Sequence, residues 1–163
     1  MRGSIASLAV LAVTGCVDDG PTQATPPCTG VVEWVIDGDT VDITIDGVDE
    51  RVRLLGIDTP ETKVPDSPPE CYGPEAAAYT ATLLPVGTVV RLERDIVGRD
   101  DYGRLLAYVY RADTNVLVNE ELVRLGYAQV LTVEPNGILH NRFVDLATAA
   151  ERADLGMWGV CGG

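Results

Sequence analysis

The sequence predicts an all-β core with helices, an α+β barrel, on three observations. Short runs of alternating apolar and polar residues recur, a helix-like segment separates the third run from the fourth, and two helix-like segments follow the fifth. Val31 to Ile36 is the first strand. Val41-Asp42-Ile43-Thr44-Ile45 has the two-residue period of a half-buried strand, and Asp46-Gly47 behind it is a hairpin turn signal. Arg51 to Leu55 resumes the alternation, so the three runs form a meander. Val86 to Glu93 is the fourth strand, and Leu105 to Tyr110 the fifth, entered through Tyr102-Gly103. Between the third and fourth lies a helix from Gly73 to Leu84. Pro74 suits its first turn, Glu75 suits its dipole, and Ala76-Ala77-Ala78 adds propensity. Asn119 to Gly126 is a short helix that Asn119 caps at its start and Gly126 at its end. In the last helix Leu139, Phe143, Leu146, Ala150 and Ala153 form one apolar stripe, closed by Gly156, which reads as core packing. Five short strands with a helix between the third and fourth match a five-stranded OB-fold Greek-key barrel with three helices.

The chain has 163 residues, which suits one domain with a full core. Its 46% hydrophobic and 23% charged residues are those of a globular protein. With 25 acidic against 12 basic residues the formal net charge is −13, which excludes a generic cationic coat protein for nucleic acid. An enzyme that meets nucleic acid through a local site stays open.

Residues 1–15 read as a lipoprotein-type signal peptide. Met1-Arg2 gives a positive start, and the apolar run Ile5 to Val13 falls short of the roughly 20 residues that span a bilayer. Val13-Thr14-Gly15-Cys16 resembles the bacterial lipobox, in which cleavage leaves a lipidated N-terminal cysteine. A plain signal peptide or an uncleaved anchor is the alternative. Residues 16–30, rich in Pro, Gly, Thr and Asp, read as a flexible tether, and residues 31–160 as the folded domain. The expected location is the cell envelope, with a membrane anchor at Cys16, or a secreted or periplasmic state without one. Apart from Cys16 the cysteines are Cys28, Cys71 and Cys161, and an exported chain meets oxidising conditions, so one disulfide is expected. Three pairings are open. Cys71–Cys161 is preferred because it would clip the C-terminal tail to a loop ahead of a helix. The absence of a Cys-x-x-Cys motif, with His140 the one histidine, argues against zinc.

Three polar clusters stand out: Asp37-Gly38-Asp39-Thr40, Arg53 to Thr62, and Asp100-Asp101-Tyr102-Gly103-Arg104. Each alone could be a turn or a strand end. Their joint presence in one small domain points to chemistry. Asp39 and Asp58 sit at strand ends, and if those ends converge they offer carboxylate oxygens to a hard cation such as calcium. Glu61 lies three residues beyond Asp58, where a carboxylate can orient and deprotonate a water. Arg53 and Arg104 carry planar donor forks that match phosphate oxygens.

Taken with Tyr72-Gly73-Pro74-Glu75-Ala76, Leu106-Ala107-Tyr108-Val109 and Val118-Asn119-Glu120, these runs make the chain resemble the staphylococcal nuclease (thermonuclease) family from about Val31 to Trp158. The resemblance implies an OB-fold barrel and calcium-dependent cleavage of DNA and RNA to 3′-phosphate ends by a monomer. By motif position it implies Asp39, Asp58 and the Thr59 carbonyl as Ca2+ ligands, Glu61 as general base, Arg53 and Arg104 on the scissile phosphate, Tyr102 on a neighbouring phosphate, and Asp37 in support. The chain also departs from the family's type member. A lysine beside Tyr-Gly-Arg is Asp101 here, and a tyrosine pair is replaced around Thr132-Val133-Glu134. The expectation is an exported, lipid-anchored nuclease with a weakened substrate cradle, whose binding falls with salt. The alternatives are a non-catalytic OB-fold module that binds nucleic acid or a protein, and a calcium-binding envelope protein.

Overall fold

Residues 28–63 and 65–161 are described by the structure, a computed structural model. The expected signal peptide, Cys16 and the tether as far as residue 27 lie outside the described residues.

Strands β1 (Cys28–Asp37), β2 (Thr40–Ile45) and β3 (Val48–Leu54) form the meander. Asp46 (φ 51°) and Gly47 (φ 81°) both take left-handed backbone between β2 and β3, as a tight hairpin with right-handed strand twist requires. A two-residue strand β4 (Ile57–Asp58) follows. Strand β5 (Val89–Glu93) lies antiparallel to both β1 and β6 (Leu105–Arg111). Strand β6 then runs parallel to β3, with Val52 opposite Leu105, and closes a barrel of order β1-β2-β3-β6-β5. Alternation put Val41, Ile43, Val52, Leu54, Val90, Leu92, Leu105 and Val109 inside, where all are buried.

Several boundaries differ from the sequence reading. Cys28, Thr29 and Gly30, expected as the end of the tether, pair with Leu92, Arg91 and Val90 of β5. Their composition is loop-like, but barrel closure needs a longer first strand. The fourth strand begins at Val89 instead of Val86, because residues 85–88 form the turn out of the first helix, with Thr88 N–H donating to the Pro85 carbonyl. Strand β1 is also irregular, with register shifts between Val32 and Trp34 and between Val35 and Asp37. The second shift bends the chain where Asp37 leaves the barrel, a common use of such irregularities beside functional sites.

Three helices pack on the barrel. Helix α1 (Gly73–Leu83) carries Pro74 in its first turn and buries Ala76 and Thr80. Thr80 Oγ1 donates to the Gly38 carbonyl at 2.6 Å, which ties α1 to the β1–β2 turn. Helix α2 (Val118–Arg124) starts one residue early, with Leu117 at its cap position. Asn119 is therefore no cap. It is fully buried, accepts Val109 N–H at 2.9 Å and donates to the carbonyls of Leu55 (2.9 Å) and Ala107 (3.3 Å). Cap residues and core connectors share the same chemistry, so the sequence could not separate the two. Strand β7 (Gln129–Val130) then pairs with β4.

Helix α3 (His140–Arg152) inserts Phe143 against Tyr108, edge to face, at 6.2 Å between centroids. Burying such a ring stabilises by roughly 2–3 kcal/mol. Asp154, not Gly156, closes α3: it takes φ 51°, while Asp154 N–H bonds Glu151 O and Leu155 N–H bonds Ala150 O. A short α4 (Met157–Val160), absent from the sequence reading, docks through buried Met157. Behind it, the preferred disulfide Cys71–Cys161 is formed.

Two stability predictions follow from these contacts. Asn119→Ala removes the side-chain partner of the Val109 N–H and of the Leu55 carbonyl, while the Ala107 carbonyl keeps the Leu55 N–H, and should cost about 2–4 kcal/mol in urea unfolding. At Gly38 a Cβ would lie 2.6–2.8 Å from the buried Thr59 side chain, so Gly38→Ala should cost about 1–3 kcal/mol by the same measurement.

Candidate active site

The β1–β2 turn, the end of β3 and strand β4 meet at one end of the barrel, and each delivers a charged side chain there. Leu54 N–H donates to the Asp39 carbonyl at 2.8 Å, so the two strand ends are fixed to each other. Asp39 is buried, and its carboxylate accepts from Thr59 N–H (2.9 Å), Thr59 Oγ1 (3.1 Å) and Thr40 Oγ1 (3.0 Å). Arg53 lies across it, with NH2 3.1 Å from Asp39 Oδ2 and 2.8 Å from Asp58 Oδ1. Its NH1 donates to the carbonyls of Leu54 (2.9 Å) and Ile57 (2.8 Å). The guanidinium is thus held flat by the bend between β3 and β4.

Glu61 stands beside Asp37 on the same side. Asp37 caps its own turn by accepting Gly38 N–H (2.8 Å) and accepts Thr62 Oγ1 at 3.2 Å. Partial desolvation, then the hydrogen bond and charge of Asp37, then the charges of Asp39 and Asp58, push the Glu61 carboxyl up to about 7. Desolvation likewise raises Asp58, reinforced by the charges of Asp39 and Glu70 and opposed by Arg53. Glu70 spans the loop: its N–H donates to the Glu61 carbonyl and its Oε2 accepts Glu61 N–H, both at 2.9 Å.

Arg104 approaches from the start of β6. Asp100 Oδ2 accepts its Nε at 2.6 Å, and Asp100 Oδ1 accepts the N–H groups of Arg104 (2.9 Å) and Tyr102 (3.0 Å). Desolvation of Asp100 opposes ionisation, yet these bonds hold it below the usual carboxylate range. Tyr102 is highly exposed, with the Arg104 guanidinium 5.6 Å from its ring centre. Arg53, Tyr102 and Arg104 line one cleft of about 420 Å³, together with Asp101, Val133 and Glu134. The residues at which the sequence departs from the resemblance therefore sit on the wall of this cleft. Thr132 instead bonds His140 Nδ1 at 2.8 Å.

The structure thus brings Asp39, Asp58 and Thr59 around Arg53, sets Glu61 against Asp37, and places Arg53 and Arg104 on one cleft. Cys16 lies outside the described residues. Sequence reasoning missed Glu70, whose exposed position in a proline-containing loop carries no periodic signal. It also missed Asn136, which receives Val97 N–H at 2.7 Å and donates to the Val97 carbonyl, fixing the far wall of the cleft.

Among the described residues no three Asp, Glu, His or Cys side chains form a metal cage. The donors at Asp39, Asp58 and the Thr59 carbonyl are all oxygen, which suits a hard cation completed by water. Asp39 and Asp58 stand close enough to share one Arg53 nitrogen, so two carboxylates and an adjacent carbonyl present the oxygen set such a cation takes, and the residues fit one.

Comparison with known proteins places the chain among characterised relatives. A family-wide profile for staphylococcal nuclease homologues matches residues 51–160, which include Arg53, Asp58, Thr59, Glu61, Tyr102 and Arg104 but not Asp39. The chain is 41% identical to a thermonuclease of Staphylococcus intermedius over 128 residues, 78% of this chain and 74% of that protein. It is 33% identical to a thermonuclease of Staphylococcus hyicus over 159 residues, 94% of this chain and 92% of that one. It is 40% identical to a prophage-derived endonuclease of Bacillus subtilis over 129 residues, 78% of this chain but 43% of that protein. With its closed five-stranded barrel, three packed helices and this extent of similarity, the chain belongs to the staphylococcal nuclease family.

Proposed function

We propose that the protein is a calcium-dependent nuclease that hydrolyses phosphodiester bonds of DNA or RNA and leaves 3′-phosphate ends. One observation carries the reading: Arg53, which touches both Asp39 and Asp58, also lines the cleft that Arg104 enters. Asp39, Asp58 and the Thr59 carbonyl would hold the calcium ion. Its chemical contribution when bound is positive charge beside the phosphate.

The remaining steps fall to side chains. The bonds to Arg53 use NH1 and NH2, which leaves Nε–H for a phosphate oxygen. Arg104, oriented by Asp100, neutralises a second oxygen or the departing one. Glu61 takes a proton from water as the water oxygen bonds phosphorus. The bond from phosphorus to the 5′ oxygen breaks, and that oxygen leaves with the electron pair, its charge offset by Arg104, and becomes a hydroxyl by taking a proton from solvent water. Two arginines aimed at the oxygens that gain charge stabilise the transition state more than the ground state. Tyr102 stands at the cleft wall, from which it would contact a neighbouring phosphate.

A second reading, a non-catalytic binding module, draws on the acidic wall residues Asp101 and Glu134. Purified protein incubated with single-stranded DNA or RNA at low salt separates the two. Cleavage should require calcium and stop with a chelator, and Glu61→Gln should lower kcat by about 10²–10⁴-fold. Binding of uncleaved substrate by a folded wild type, with no cleavage, would favour the module. With two arginine–phosphate contacts, apparent affinity should fall about tenfold between 50 and 200 mM salt. A flat response contradicts those contacts.

Export and anchoring belong to the same proposal. They rest on the apolar run Ile5 to Val13 and the lipobox-like residues before Cys16, and gain support from the Cys71–Cys161 disulfide, a feature of oxidising compartments. Cys16→Ala should release the protein from membranes or block its processing, and unchanged retention would end the lipid-anchor reading.

A further inference from the structure

Between Glu61 and Tyr72 the chain makes a long excursion. No described residue from Lys63 to Cys71 is buried, so no apolar packing holds this loop down. Its described ties are few: Thr62 to Asp37, the two bonds from Glu70 that clasp the Glu61 backbone on both sides, and buried Gly73, whose N–H donates to the Glu70 carbonyl at 3.0 Å and whose Cα lies close against the Glu61 backbone. Glu70 is followed at once by Cys71, and Cys71 is bonded to Cys161. The far end of that bond is firmly seated. Helix α4, just ahead of Cys161, buries Met157, and Met157 N–H donates to the Gly126 carbonyl behind α2.

We infer that the Cys71–Cys161 disulfide is a positioning element for Glu61, making catalysis depend on oxidation of this pair. The inference rests on the nuclease reading for its effect on turnover, but not for its effect on the loop. The disulfide restrains Glu70 from its C-terminal side together with the Gly73 N–H on its carbonyl, Glu70 clasps Glu61, and Glu61 is thereby held against the Asp37 and Asp39 end of the barrel. A dithiol reductant breaks the S–S bond by a two-electron exchange, becoming a disulfide itself and leaving Cys71 and Cys161 as thiols. The loop between Glu61 and Gly73 then keeps its hydrogen bonds but loses the covalent tie that steadies them, and the effective concentration of the base at the reacting water falls. A chain of this design is a poor nuclease under reducing conditions and a competent one after oxidation.

The test compares oxidised protein, protein reduced with dithiothreitol, the same protein reoxidised, and Cys71→Ser/Cys161→Ser. Amide hydrogen exchange, kcat and KM are measured well below the unfolding midpoint of each. Reduced protein and the double variant should both exchange the Glu61 and Glu70 amides at least tenfold faster, while the Leu54 and Val109 amides in the barrel change less than twofold. kcat should fall at least tenfold with KM nearly constant, and reoxidation should restore it in the wild type but not in the variant. Unchanged exchange at Glu61 and Glu70, an equal rise across the barrel, loss of the fold on reduction, or an unchanged kcat would overturn the inference. If the oxidised protein cleaves nothing, the nuclease reading has failed separately, and the exchange rates still decide whether the disulfide holds the loop.

Discussion

One guanidinium stands against four carboxylates at the end of this barrel, and the rest of the site is shaped by that imbalance. Arg53 bridges Asp39 and Asp58, while Asp37 and Glu61 crowd in beside them. Asp39 tolerates burial because the Thr59 backbone, two hydroxyls and Arg53 all donate to it or neutralise it. Removing one partner of a buried pair of this kind costs about 3–5 kcal/mol, because the other charge is left without compensation. Glu61 has no such set of donors, and desolvation first, then Asp37 and the other neighbouring carboxylates, push its carboxyl up. A folded chain rarely keeps this much repulsion in one place without a functional reason.

The barrel supports the cluster because three separate strand ends converge by construction. Closure through the parallel β3–β6 pair puts Arg53 opposite Leu106, so the third strand and the entry to the last strand share one end. Arg104 sits just outside that entry, which is why it opens onto the same cleft as Arg53. Asn119 joins α2 to Leu55, Ala107 and Val109, fixing the helix to the strand that carries this geometry. Thr80 does the same for α1 and the β1–β2 turn. Most of the site is therefore built on regular elements that bear on one another. The exception is the loop that carries Glu61.

How much of this was legible in the sequence follows from the same division. Strand cores and the α3 stripe announce themselves by period, because Val41, Ile43, Val52 and Phe143 must all face one interior. The turn at Asp46-Gly47 is legible because few residue pairs adopt two successive positive φ angles. Strand ends are less so: Cys28 to Gly30 join β5 for a reason of closure that no local pattern encodes. The motif residues were found, but not their pairings. Arg53 with Asp39 links a strand to the β1–β2 turn, Glu61 with Asp37 joins a loop to the end of β1, and Asn119 looks the same as cap or as connector until packing decides. Glu70 was missed because its importance lies wholly in reaching back across nine residues to Glu61.

Net charge and local charge pull in different directions. At −13 the chain as a whole repels a polyanion, yet such repulsion between exposed charges decays over about 8 Å at physiological ionic strength. In the cleft, Arg53, Arg99 and Arg104 face Asp100, Asp101 and Glu134, so its wall is balanced even though the molecule is not. Asp100 is already committed to Arg104, and Arg99 to Glu50. Under the proposed reading, approach of substrate is unassisted by long-range steering, and the arginines act only at contact. An acidic surface then limits how fast and how tightly substrate arrives, while the arrangement at Arg53, Glu61 and Arg104 sets what happens to the phosphate once it is seated. Encounter and chemistry are thus governed by separate groups, so the unusual acidity of the chain is no argument against the reaction.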